Sequence, residues 1–351
     1  MQPPEEQAAI PAVVADAVEA APIAQQGAVL NDPAPQKKRP GRPRKEIVNI
    51  PVEMHGIVAE PSMPDSVIET VYCNPKLFKK VFNLYKSYEV SELIMSFNHE
   101  GIEIYGKDHQ GKSDVYSTID GSKLAWYYCR EPIEVPVKRE TLERIVSTLD
   151  KNHYKITFLS KENWRSTLYV ICKDYELDDD GNYEVEVINR PAINRNEARP
   201  DDTNYPVKFV LSSKHFKKKI NDIKKFSPVF CIQKNGDEPL QFTFDNARKV
   251  NYNGVYKSSN KIKLQSQIAA DDLFSVSVNI EYIKPFSNAN IGENVYIAAH
   301  KYEKLSLMTF LDKKDDGYVC TIRVYTETKD YRRNRAAVAA AVQIIDPVNA
   351  M

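Results

Sequence analysis

The chain has 351 residues, 48 of them Lys or Arg and 48 Asp or Glu, so its formal net charge is zero and any attraction for a polyanion must come from where the cations sit. Hydrophobic residues make up 42%, with 20 Tyr, 13 Phe and only 12 Gly, which excludes a wholly disordered chain and allows two cores of ordinary domain size. Five scattered cysteines, none in a C-x-x-C pair, exclude a disulfide framework and point to reduced thiols in an intracellular location.

Residues 1–36 carry no Lys or Arg and are rich in Ala, Pro and Gln, the composition of a disordered tail. Glu5, Glu6, Asp16 and Glu19 flank or interrupt its apolar run, which argues against a secretory signal or a membrane span. The charge then inverts. Lys37-Lys38-Arg39-Pro40-Gly41-Arg42-Pro43-Arg44-Lys45 puts six cations into nine residues. Its Arg-Pro-Gly-Arg-Pro-Arg core resembles the AT-hook: the prolines hold the chain extended, Gly41 allows close approach, and Arg42 and Arg44 reach into a narrow minor groove. A nuclear-import signal is the bland alternative. A Pro-containing linker continues to residue 66.

From there the pattern of elements occurs twice. The first run predicts a strand over 67–73, a helix over 75–88, strands over 89–97 and 101–105, a second helix over 138–150, and strands over 154–159 and 167–172. The second predicts a strand over 207–211, a helix over 212–226, strands over 241–244 and 261–265, and a short helix over 279–288. Each run closes on an Asp-Gly hairpin, at Asp180-Gly181 and Asp316-Gly317, where glycine supplies the positive φ of a tight turn. Between the runs, 189–206 has three prolines and no strand period, as expected of a connector. The expected organisation is a tail over 1–66, one domain over 67–188, the connector over 189–206, a second domain over 207–330 and a C-terminal tail over 331–351, helical or disordered.

Both opening helices are amphipathic. In the first, Leu77, Phe78, Val81, Leu84, Tyr85 and Tyr88 share one face, with Lys76, Lys79, Asn83 and Lys86 opposite; in the second, Phe216, Ile220 and Ile223 face Lys214, Lys218, Asn221 and Lys225. The helix over 138–150 sets Arg144 and Lys151 away from Leu142, Ile145, Val146 and Leu149, with Glu140 among them. Lysines on one helix are commonly a solvated surface. Far faces almost free of acids, repeated in both runs, instead suit mobile contact with phosphates of any sequence. The histidines show no H-E-x-x-H and no spacing with cysteine that would hold zinc, and no Gly-rich phosphate loop is present. The runs Asp178-Asp179-Asp180 and Asp315-Asp316 read as turn chemistry, with metal catalysis as their alternative. We therefore expect no enzyme, no cofactor and no metal.

Across 67–328 the sequence resembles the proliferating cell nuclear antigen family of sliding clamps, and within it the clamp-like branch of African swine fever virus and related large DNA viruses. The resemblance is carried by Leu77-Phe78-Lys79-Lys80-Val81 with Lys86 beyond it, by Gly101-Ile102-Glu103-Ile104, by Tyr205-Pro206 before the second lysine helix, by Tyr256-Lys257-Ser258-Ser259-Asn260-Lys261-Ile262, and by the N-terminal Gly-Arg-Pro patch. It implies an α+β DNA clamp fold of two similar domains, each with antiparallel sheets and two helices lining an inner face. It implies a viral sliding clamp and processivity factor, a head-to-tail homotrimer around double-stranded DNA that tethers DNA polymerase, clamp loader and repair enzymes without touching a membrane, at a replication site in the host cytoplasm or nucleus. The DNA-facing residues would be Lys76, Lys79, Lys86, Arg144, Lys151, Lys214, Lys218, Lys225 and Lys284. The subunit interface would join 183–188, with Tyr183, Val185 and Val187, to 257–264 of a neighbour, with Lys257, Asn260, Ile262 and Leu264. Where the family has an apolar partner groove, this connector offers Ile193 as its one large aliphatic residue, expected opposite Lys107. Pro285 is expected to interrupt the last helix. The competing function is a clamp-fold transcription or architectural factor anchored by the basic patch.

Overall fold

The computed structural model describes residue 53 and residues 55–149, 153–164, 166–174, 180–189, 191–193, 199–236, 238–244, 254–256, 264–269, 272–289 and 291–345. All belong to one compact unit, Pro51–Met351. The proposed minor-groove patch over 37–45, Lys151, Lys257, Asn260 and Ile262 lie outside the described residues.

The first run contains β1 (Ser66–Tyr72), α1 (Lys76–Ser87), β2 (Glu92–Asn98), β3 (Gly101–Lys107), β4 (Ser113–Asp120), β5 (Trp126–Cys129), β6 (Ile133–Lys138), α2 (Arg139–Thr148), β7 (His153–Lys161), β8 (Thr167–Asp174) and β9 (Asp180–Glu186). The second contains β10 (Val207–Ser212), α3 (Ser213–Lys224), β11 (Val229–Asn235), β12 (Leu240–Thr243), β13 (Gly254–Tyr256), β14 (Leu264–Ser266), β15 (Leu273–Asn279), α4 (Ile280–Ala289), β16 (Asn294–Ala299), β17 (Leu305–Lys314) and β18 (Gly317–Thr326). One further helix, α5 (Lys329–Ile345), ends the described chain, so the helical alternative holds for the C-terminal segment.

The sheets run β5-β1-β7-β8-β9, then β14-β10-β16-β17-β18-β4-β3-β2-β6, then β13-β12-β11-β15. Advancing each first-run strand by nine maps β5-β1-β7-β8-β9 onto β14-β10-β16-β17-β18, and β4-β3-β2-β6 onto β13-β12-β11-β15. Both runs are thus one five-stranded and one four-stranded antiparallel sheet. The nine-stranded sheet arises where β18 of the second run pairs with β4 of the first, from Cys320↔Ile119 to Thr326↔Ser113.

Local chemistry fixes the elements. In α1 the buried Leu77, Phe78, Val81, Phe82, Leu84 and Tyr85 form the core stripe, and Val90 N–H closes the helix end on Tyr85 O at 3.0 Å, with Glu89 at φ 53° making the reversal. Ser212 caps α3, its hydroxyl accepting from His215 N at 3.3 Å. Tyr85, fully buried, donates its hydroxyl to Ile104 O at 2.6 Å and so pins α1 to β3.

Four expectations are corrected. Gly317 has φ 138° and closes the β17–β18 hairpin opposite Lys314, but Asp180 and Gly181 lie inside β9, paired with Lys173 and Cys172, so the first Asp-Gly is not a turn. Pro285 does not interrupt α4; the helix runs through it, at the length of α2. The end of the expected N-terminal tail is attached: His55 N–H donates to Ala125 O and Val58 N–H to Tyr127 O, both at 2.9 Å, laying this segment along β5. Leu264 pairs with Phe209 of β10, so it belongs to the nine-stranded sheet and not to the free edge of the four-stranded one.

Candidate nucleic-acid interface

The helices form one row. α1 packs against α2 on one side and α4 on the other, and α3 packs against α4. Polar contacts and shared surroundings link the lysine-bearing faces of these helices. Lys86 Nζ of α1 meets Glu143 Oε1 of α2 at 2.5 Å. Lys79 Nζ donates to Leu149 O at 3.1 Å, where a cation meets the negative end of α2. Lys80 and Lys214 line one cavity, although they belong to α1 and α3. Lys224 of α3 stands beside Lys284 of α4 and pushes that ammonium below the usual lysine range, as two like charges must.

The expected DNA residues separate by what neutralises them. Lys76, Lys214 and Lys218 are exposed and have no carboxylate partner among the described residues. Lys86 and Arg139 both engage Glu143, Arg144 meets Glu140 at 2.8 Å, and Lys225 meets Asp222 at 3.3 Å, so these cations enter any phosphate contact partly compensated. Sequence reasoning missed Lys80 and Lys224, both exposed, because it followed a narrow wheel sector; their positions beside Lys79 and Lys225 were the available signal.

On the opposite face of the nine-stranded sheet the connector crosses the β4–β18 joint. Ile193 packs on Ile94, Tyr105, Tyr116 and Tyr325. Tyr105 and Tyr116 have ring centroids 4.9 Å apart, Tyr116 and Tyr325 5.8 Å. Arg199 lies over Tyr116 at 5.3 Å and its Nη1 meets Glu103 at 3.3 Å. Lys107 is not in this cluster; its Nζ is 3.9 Å from Asp114 Oδ1. The cluster under Ile193 is therefore aromatic, contrary to the sequence expectation, because tyrosines from three strands converge there, and all three are buried.

Of the expected interface residues, Tyr183 and Val187 are half-buried against the core and Val185 is buried in it, paired with Leu168 of β8, so Val185 is turned away from the outer edge. β9 is nevertheless an outermost strand, as is β13 in the four-stranded sheet. Among the described residues no group of three or more His, Cys, Asp or Glu could hold a metal ion, and no helix is long and apolar enough to cross a membrane.

No family model matches the chain. It is 29% identical over 283 residues to an uncharacterized protein of the Malawi tick isolate of African swine fever virus, spanning 79% of this chain and 94% of that protein. The same viral protein from a Kenyan pig isolate is 28% identical over the same spans. Among solved structures, the proliferating cellular nuclear antigen of Entamoeba histolytica superposes with a TM-score of 0.61 at 16% identity, over 75% of this chain and 99% of that one.

Proposed function

We propose, from the premise that this is a chain of the proliferating-cell-nuclear-antigen-like clamp fold with viral relatives, that it is the DNA sliding clamp of a large DNA virus. Three copies close head to tail around duplex DNA and serve as a polymerase processivity factor. The observation that carries this reading is the unfinished symmetry of the sheets. Within one chain, β18 pairs with β4; their counterparts nine strands away are β9 and β13, and among the described residues both are outermost strands of their sheets. Pairing β9 of one copy with β13 of the next repeats the internal joint and extends the helix row into a ring without exposed edges at the joints. The ring count of three follows from the family resemblance.

The lysines of α1 and α3 then line the opening. Loose phosphate contact suffices there, because a closed ring leaves DNA only at an end. The connector around the half-buried Ile193, resting on the buried tyrosines, is the seat for polymerase, clamp loader and repair enzymes, and residues 37–45 add a minor-groove anchor.

Sedimentation equilibrium and retention on circular against linear DNA test the proposal. We expect a trimer at micromolar concentration and escape from linear ends. A monomer at every concentration, with all binding lost on deleting residues 1–50, would favour a transcription or architectural factor anchored by the basic patch. Lys214→Ala with Lys218→Ala should lower the slope of log affinity against log salt by about 2, since each lost phosphate contact contributes about 0.9. Arg144→Ala should lower it less.

A further inference from the structure

We propose that the cavity between the start of α3 and the β17–β18 hairpin binds one unpaired nucleotide, its phosphate on Lys80 and Lys214 and its base on Tyr318. The inference rests on the reading that DNA passes the helix row. The cavity measures about 520 Å³, and its walls come from both runs, within the range of pockets that take small ligands.

Its two sides differ in chemistry. On the helix side stand Lys80 and Lys214, joined by Lys313, and none of the three has a carboxylate partner among the described residues. Two carboxylates share the lining. Asp312 is occupied, accepting from the Tyr72 hydroxyl and from Asn74 Nδ2 at 3.2 Å; Glu293 is exposed and opposes an anion, so the cations prevail by a narrow margin. A phosphate held there sits beside the lysines that face the proposed opening.

The other side is an aromatic stack. Tyr318 is 41% exposed and lies on Phe310 with ring centroids 4.9 Å apart and planes at 22°. Phe310 in turn meets Tyr296 edge-on at 5.1 Å. The Tyr318 ring is thus supported from beneath and free above, which suits stacking with a base. Gly292 keeps the wall close: a Cβ there would collide with Thr309 Oγ1, and its carbonyl accepts from Ser213 Oγ at 2.5 Å, joining the cavity floor to the first turn of α3. Bases inside a duplex are already stacked on one another, so this arrangement selects a strand that has come unpaired.

The test uses the full chain and a G·C-rich duplex, which mutes the basic patch, either blunt or carrying a short oligothymidine overhang, with binding read by fluorescence anisotropy. The overhang should bind about 10-fold more tightly, the effect of one base stacked on an aromatic ring. Tyr318→Ala should bring the overhang substrate to the blunt value, Tyr318→Phe should retain the preference, and blunt-duplex affinity should stay constant in both. Equal affinities in the parent chain, or equal weakening of both substrates by Tyr318→Ala, overturns the site. Loss of blunt-duplex binding with the single strand still held through Tyr318 would support the site and count against the clamp.

Discussion

The joint between β18 and β4 and the open edges of β9 and β13 are equivalent places in the repeat, yet they are built differently. The internal joint has seven consecutive register pairs and a tie at each end. At one end Lys304 Nζ lies 2.7 Å from Asp114 Oδ2, the two side chains only 6% and 8% exposed, and Ser113 and Thr326 hydroxyls meet at 3.0 Å. At the other, Lys123 pairs with Asp316 while Lys314 Nζ donates to Lys123 O at 2.7 Å. Directly before β8, where symmetry calls for the counterpart of Lys304, stands Ser166, which has no charge to offer. The internal joint carries a buried ion pair whose carboxylate is also held by Lys107 at 3.9 Å and by the Tyr105 hydroxyl at 3.0 Å. On the proposed ring reading, the joint between copies has no counterpart of this ion pair at position 166, so main-chain pairing carries more of it.

The largest effect should come from the open edge. Val187 N–H donates to Ser166 O at 2.9 Å, so by antiparallel alternation the N–H groups of Tyr183 and Val185 face β8 and that of Glu184 faces outward. Glu184→Pro removes an outward donor while sparing the β8–β9 ladder. Leaving the facing carbonyl unpaired in the joint costs about 1–3 kcal/mol, or roughly 5- to 100-fold in association. Sedimentation should show dissociation to monomer with the thermal midpoint retained; an intact assembly would exclude β9 from the interface.

Next comes the internal joint. Lys304→Ala removes the nearer cation of Asp114, which keeps Lys107 at 3.9 Å and the Tyr105 hydroxyl at 3.0 Å, and should cost about 1.5 kcal/mol in urea unfolding, the lower end for a hydrogen bond to a charged group, with part regained in the Lys304→Ala, Asp114→Ala double variant. A loss below about 1 kcal/mol would mean that the joint stands on its ladder alone. The smallest effect is at the hairpin end. The Lys123 ammonium hydrogen-bonded to Asp316 holds its carboxyl below the ordinary carboxylate range. A depressed folded value means stability present above the unfolded value, near about 3.9, and lost as pH falls through the folded one. Asp316→Asn should therefore melt slightly below the parent at neutral pH and merge with it in acid; a gap that persists at low pH would assign the effect to the turn itself.

Much of this was legible in the chain. The apolar stripe Leu77, Phe78, Val81, Leu84, Tyr85 and Tyr88 is buried as its spacing requires, and the helices over 75–88, 138–150, 212–226 and 279–288 fall within two residues of α1 to α4 at each end. Phe82 was missed because it widens the stripe beyond the narrow sector that the wheel suggests. β6 and β15 escaped notice because each passes directly into a helix, at Lys138–Arg139 and Asn279–Ile280.

Other features could not be read from spacing at all. That Glu143 neutralises Lys86 depends on two helices about 57 positions apart lying side by side. That Tyr105, Tyr116 and Tyr325 form one seat under Ile193 depends on β3, β4 and β18 being neighbours. Periodicity records which side of an element meets the core, because burial is decided one residue at a time along a helix or strand. It carries no record of which element lies next to which. The repeat, the lysine faces and the connector were therefore set by the sequence alone, since each is a local pattern of apolar and charged residues. Which lysines stay unpaired, where the aromatic surfaces assemble, and which strand edges are closed or left open were decided only by tertiary packing.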